Sequence, residues 1–305
     1  MLGCYEEPSG SNEEALKHVS NNAMKKAKKV YNSNLDPRCT WRYYHGVFIP
    51  SVMYSFAANS IKTKPLDKLQ SKTTRMFLPK LGYNRNTSKA IVYGPTEYGG
   101  IDMRILRHEQ GLAKVESLVK HWRSNESDAN RILRIALHWN QYVAGIGTPI
   151  LENTTAQLSY LETVWFPDLR DFLRETNTTI EVDEPGLTPI QREYDQHIMD
   201  HVLGLQKFSR AELKRINYCR LFLDVQTISD ISTACGKFLS RDLLDGNPSF
   251  ETSRAKGLRA VQKKPTCTRT WQLWRQACTF LCSNKKTKRL TTPLGKWIVP
   301  YQELS

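Results

Sequence analysis

The stretch KPLDKLQSKTTRMFL, Lys64 to Leu78, places Leu66, Leu69, Thr73, Met76 and Phe77 on one side of a helix and the charged residues on the other. Apolar residues that return every three or four positions mark a helix, whereas strict alternation would mark a strand. The same period recurs along most of the chain, so the predicted fold class is mainly α. Upstream, Ser11 and Glu14 have the spacing of a capping box, with a helix expected to about Tyr31 and Lys25, Lys26, Lys28 and Lys29 toward its end. Asp36-Pro37 is a second start signal. It opens an aromatic segment, Arg38 to Ser60, read as a buried helix pair bent at Pro50. Downstream, Gly82 ends the helix, a short one follows over Ser88–Tyr93, and Gly94 to Gly100 is a glycine-rich loop.

A helix from about Met103 to Trp122 is expected to bury Ile105, Leu112, Val115, Leu118 and Val119. Further helices are expected over Ser127–Tyr142, Thr155–Val164, Pro167–Glu175, Ile190–Leu203, Arg210–Val225 (capped by Ser209 and Glu212) and Trp271–Leu281. Thr179–Val182 and Leu294–Val299 read as extended, Ser232–Gly236 as a turn, and Gly246-Asn247-Pro248 as a loop. The acidic, breaker-rich Asp183-Glu184-Pro185-Gly186 is the expected boundary, giving domains over residues 1–182 and 188–305.

Composition narrows the function. With 40% hydrophobic and 10% aromatic residues the 305-residue chain can build real cores. No apolar run approaches the length of a membrane span, and the N-terminus lacks the basic and apolar regions of a secretory signal, so no membrane partner is expected. Seven scattered cysteines read as reduced thiols in an intracellular protein, nuclear or cytoplasmic.

Charge is segregated. Residues 251–305 hold 12 Lys or Arg against 2 Glu and no Asp, which is +10 of the total +14. Such a field points to a polyanionic partner, above all nucleic acid. Chemistry is harder to find. Cys235, Cys267, Cys278 and Cys282 are irregularly spaced for zinc, and no histidine follows His201. His197 and His201 stand four apart, but Ile198 occupies the place of the glutamate base of an HExxH site. No catalytic or metal residues are therefore assigned.

The first residues, Leu2-Gly3 before a turn at Pro8-Ser9-Gly10, resemble the end of the palm in reverse transcriptases of non-LTR and group-II-like retroelements. Pro95-Thr96-Glu97-Tyr98-Gly99-Gly100-Ile101-Asp102-Met103 is similar to the loop before a thumb helix in that family, and Trp271-x-x-Trp274-Arg275 to its C-terminal regions. The resemblance implies a palm-end strand remnant, then a helical thumb and connector, then a basic helical C-terminal domain. The family's Tyr-x-Asp-Asp is absent, so no cofactor is expected in this chain; magnesium would belong to the missing palm. The partners implied are RNA or an RNA–DNA hybrid, gripped without bond chemistry, and the missing polymerase portion.

Candidate contacts follow. Arg104, Arg107 and Lys114, spaced three and seven apart, are expected on one helix face as a phosphate row. Lys72, Arg75 and Lys80 would extend it. Lys263, Lys264, Arg269, Arg275, Lys285, Lys286, Lys288 and Arg289 form a basic footprint. Trp271 and Trp274 within it are candidate stacking platforms for single-stranded bases. Two other functions stay open: a metal-dependent endonuclease using Asp224, Asp230, Asp242 and Asp245, and a helical scaffold for a protein partner.

Overall fold

The computed structural model describes residues 12–124, 127–162, 164–247 and 263–298. The palm-end strand expected at Leu2–Tyr5 and the capping hydroxyl of Ser11 lie outside them, as do Pro248 and Val299. The described residues are mainly helical, with one two-stranded antiparallel sheet. In chain order the elements are α1 (Glu13–Tyr31), α2 (Pro37–Tyr43), α3 (Ile49–Met53), α4 (Thr63–Phe77), α5 (Lys89–Tyr93), α6 (Leu106–Trp122), α7 (Asp128–Ala144), α8 (Trp165–Glu175), α9 (Ile198–Gly204), α10 (Arg210–Leu223), α11 (Arg241–Leu244), α12 (Thr268–Thr279), β1 (Cys282–Asn284) and β2 (Arg289–Leu290). Among the described residues no helix is long and apolar enough to cross a membrane.

The chain forms two compact units, residues 1–133 with 163–176, and 134–162 with 177–305. It passes between them after 133, 162 and 176, where the sequence reading had it cross once, between 182 and 188.

In the first unit, Asp36 caps α2 by accepting from the Cys39 amide at 2.7 Å. The bend expected at Pro50 is a π turn over Tyr44–Phe48, in which the Ile49 amide reaches back to the Tyr44 carbonyl. A proline has no amide to donate and crowds the carbonyl four residues back, and the wider turn accommodates both. Tyr44, Phe48 and Phe77 meet at centroid distances of 4.8–5.5 Å, and the α4 stripe of Leu66, Leu69, Thr73 and Phe77 is buried around them. The Gly94–Gly100 loop closes on itself: a Cβ on Gly100 would stand 2.0 Å from the Gly94 carbonyl oxygen, so neither position tolerates a larger residue. Helix α6 starts at Leu106, later than expected, because Ile101 and Met103 donate to the Ile91 and Val92 carbonyls and hold the preceding residues extended.

The second unit is built on α10 packed against α12. Ser209 and Glu212 form the expected capping box. Three expectations fail here. The helix expected over Thr155–Val164 is absent: the described residues 155–162 are turns and bends, because Asn153 Oδ1 accepts from the Thr155 hydroxyl and the Ala156 amide, competing with helical pairing. Thr179–Val182 forms no strand and touches the turns through the Ile180 amide to the Leu151 carbonyl (3.1 Å). The helix expected from Ile190 begins only at Ile198. Residues 191–193 instead pair with 295–298, the Glu193 and Ile298 amides donating to the Lys296 and Gln191 carbonyls, and the chain then turns at Tyr194, left-handed at φ 63°.

Candidate nucleic-acid interface

Two members of the expected phosphate row are unavailable to any ligand. Arg107 is 4% exposed and Lys114 is 0% exposed, and both point into the first unit at Asp168. Arg107 donates to Asp168 Oδ1 (2.9 Å) and Glu175 Oε2 (3.1 Å). Lys114 donates to Ser60 Oγ (2.6 Å) and, at short range, to Asp168 Oδ2, which Gln110 also reaches at 2.9 Å. Burial pushes the Lys114 ammonium below the ordinary lysine value, and Asp168 opposes that shift. The spacing correctly put both cations on one face, but that face turns inward. Leu112, expected in the core, is 52% exposed. Leu118 of the expected stripe is buried, and an anion-lined socket on α8 draws Arg107 and Lys114 inward as well. Arg104 precedes the helix, exposed and paired with Glu109 at 3.3 Å.

The two tryptophans expected as stacking platforms are buried as well. Trp274 is fully buried with Nε1 donating to the Leu243 carbonyl (3.1 Å). Trp271, 8% exposed, donates to the Pro265 carbonyl (2.8 Å) and meets Phe222 edge to face. With their faces packed and their indole protons spent, neither can stack on a base; they are the core between α10, α11 and α12.

The cations of the basic footprint remain outside. Lys263, Lys264, Arg269, Lys285, Lys286 and Arg289 are exposed, Lys288 is half-buried, and Arg275 is held by Asp245 at 3.0 Å. Lys80 is tied to the Ser33 carbonyl (2.6 Å), while Lys72 and Arg75 are exposed on α4. Residues 263–298 contain nine Lys or Arg and neither Asp nor Glu.

The densest cluster is the turn joining β1 to β2. Asn284 Oδ1 accepts from the amides of Lys286 (2.9 Å) and Thr287 (3.2 Å), and Lys288 takes a left-handed conformation at φ 59°. This displays Lys285 and Lys286 at a fixed tip. The outer edge then pairs with a segment fifty residues earlier: the Leu239 amide donates to the Lys288 carbonyl and the Leu290 amide to the Lys237 carbonyl, both at 2.9 Å. Exposed Lys237 thereby joins Lys285, Lys286 and Arg289 on one edge. None of these four has an ion-pair partner among the described residues. Beside them, the Thr233 hydroxyl and the Lys237 amide hold the exposed Cys235 thiol below its usual range.

Lys237, and Arg210 and Arg215 exposed on α10, were missed by the sequence reading. For the α10 pair the signal was present, since positions 210, 214, 215 and 218 fall on one helical face opposite Leu213 and Ile216. For Lys237 there was none, because only the cross-strand pairing brings it to the hairpin.

The aspartates and histidines have separate duties. Asp224 accepts from the Tyr142 hydroxyl (2.6 Å), Asp230 from the amides of Gln226 and Thr227, and Asp245 from Arg275. His197 is the N-cap residue of α9, its Nε2 at 3.0 Å from the Thr188 carbonyl, so it does not share a helical face with His201. Among the described residues no three His, Cys, Asp or Glu side chains are grouped to hold a metal ion. In comparisons with family models, curated proteins and solved structures, nothing matches this chain significantly.

Proposed function

We propose that this chain binds nucleic acid through the cationic edge of its second unit. In this reading it is a C-terminal region like that of a retroelement reverse transcriptase, gripping RNA or a primer–template duplex without a catalytic site of its own. One observation carries the reading. Four exposed cations on two distant segments, three of them in the acid-free span 263–298, share one hairpin edge, with the backbone fixed by an Asx turn and cross-strand pairing. Cations held on a rigid element and left without carboxylates suit a phosphate backbone, whose binding releases condensed counterions. Trp271 and Trp274, the candidate stacking platforms, are buried, so the expected grip is mainly on phosphates and only weakly dependent on sequence.

The test is fluorescence anisotropy of the full chain with a single-stranded RNA and an RNA–DNA hybrid across a salt series. Four phosphate contacts predict log K falling with log salt at a slope of about −3 for a single strand. The variant K285E/K286E/R289E should flatten that slope by about 2 and weaken both ligands alike. Affinity that ignores both salt and these three substitutions would refute the reading.

A further inference from the structure

Helices α1 and α4 lie side by side and run in the same direction. The Ser60 amide donates to Asn12 Oδ1 (3.1 Å) near their starts, and Lys80 reaches the Ser33 carbonyl (2.6 Å) past their ends. Between them is an open groove of about 460 Å³. Its α1 side is Leu16, Ser20 and Met24, and its α4 side carries Pro65 and Leu69 on the floor. Along the α4 rim stand Lys64, Lys68 and Lys72, all exposed and each one turn from the next. Arg75 continues the row, also exposed. None of the four has an ion-pair partner among the described residues.

We infer that this groove docks an acidic amphipathic helix of a protein partner. The occupant carries carboxylates at i, i+4 and i+8 beside a stripe of leucine-like residues. The complementarity is metric as well as electrical: lysines four residues apart repeat every ~6 Å along α4, and a partner helix aligned with it repeats its own four-residue positions at that interval. The floor is aliphatic and includes a methionine, whose unbranched thioether adapts to an incoming side chain. A phosphate backbone would leave the aliphatic floor beside the lysines uncovered, whereas leucine-like side chains would fill it; no aromatic residue lines the groove to stack a base. The site is in the first unit, and its partner is distinct from the phosphate backbone proposed for the second.

The experiment uses the full chain and a labelled designed peptide, about four turns long, with glutamates at i, i+4 and i+8 and leucines on the adjoining stripe. Three rim ion pairs predict roughly tenfold or greater weakening when the glutamates become glutamines, and the same with K64E/K68E/K72E. A peptide carrying lysines at the three acidic positions should bind the charge-reversed protein and not the original. Because the three lysines are exposed, the variant keeps its helical circular dichroism. Equal binding of the glutamate and glutamine peptides overturns the inference. So does displacement of the peptide by a uridine oligonucleotide whose own affinity falls with K64E/K68E/K72E, which would assign the groove to nucleic acid.

Discussion

Replacing Asp168 by asparagine keeps the side chain's shape and deletes its charge. Arg107 and Lys114 would then be buried with only Glu175, which is 40% exposed, to balance them. Removing one partner of a buried ion pair costs about 3–5 kcal/mol, because the remaining charge has been taken out of water without compensation. Here two cations depend on one carboxylate, and a domain of this size is stabilised by only about 5–15 kcal/mol in total. D168N should therefore lose a third or more of the stability of the first unit. Lys114→Met should behave differently: it deletes the cation whose burial is least compensated and leaves Arg107 and Gln110 on Asp168, so its cost should stay near ~1 kcal/mol. The double variant should recover part of the D168N loss, the mark of direct coupling.

A pH signature follows. The folded-state pKa of Lys114 is lowered by burial, so between that value and 10.5 the unfolded chain binds the extra proton and stability rises with pH. Without Asp168 the lysine loses the charge that opposes this shift, the window opens further toward neutrality, and the rise steepens. Urea unfolding followed by circular dichroism, at several pH values for the four proteins, measures all of this. If D168N costs less than about 1 kcal/mol, or K114M costs as much as D168N, the reasoning about a desolvated network is wrong.

Three other outcomes are expected. Gly111→Ala would place a Cβ 2.2 Å from the Phe172 ring, where α6 and α8 approach closely; it should cost about 1–3 kcal/mol by thermal melting, with Phe172→Leu recovering part. Trp274→Ala should destabilise the second unit by about 3–5 kcal/mol, while Trp274→Phe, which strands the Leu243 carbonyl but refills most of the volume, should cost less; in the folded fraction, RNA affinity should be unchanged by either. Iodoacetamide should label Cys235 and Cys267 first, since both are exposed with thiols lowered by hydrogen bonds from Thr233 and from the Thr270 amide. Cys219, pushed up to about 12 by burial, and Cys278, also raised well above the usual thiol value by burial, should label only on unfolding, as peptide mass spectrometry would show.

The helical class, α4 with its buried stripe, the Asp36 cap and the Ser209–Glu212 capping box were legible from the residues alone, because each depends on neighbours within about two turns. The concentration of positive charge in the last 55 residues was legible too, since counting needs no coordinates. Which way a charged face turns was not. Arg107 and Lys114 sit at phosphate-row spacing, yet Asp168, more than fifty residues away, supplies the carboxylate that makes their burial affordable. The same limit applies to residues 191–193, drawn into pairing by 295–298, and to Lys237, carried to the hairpin by the Leu290 amide. Local propensity is decided by the chain's own turns. The burial of a charge and the pairing of an edge are decided by partners that only folding brings within hydrogen-bond reach.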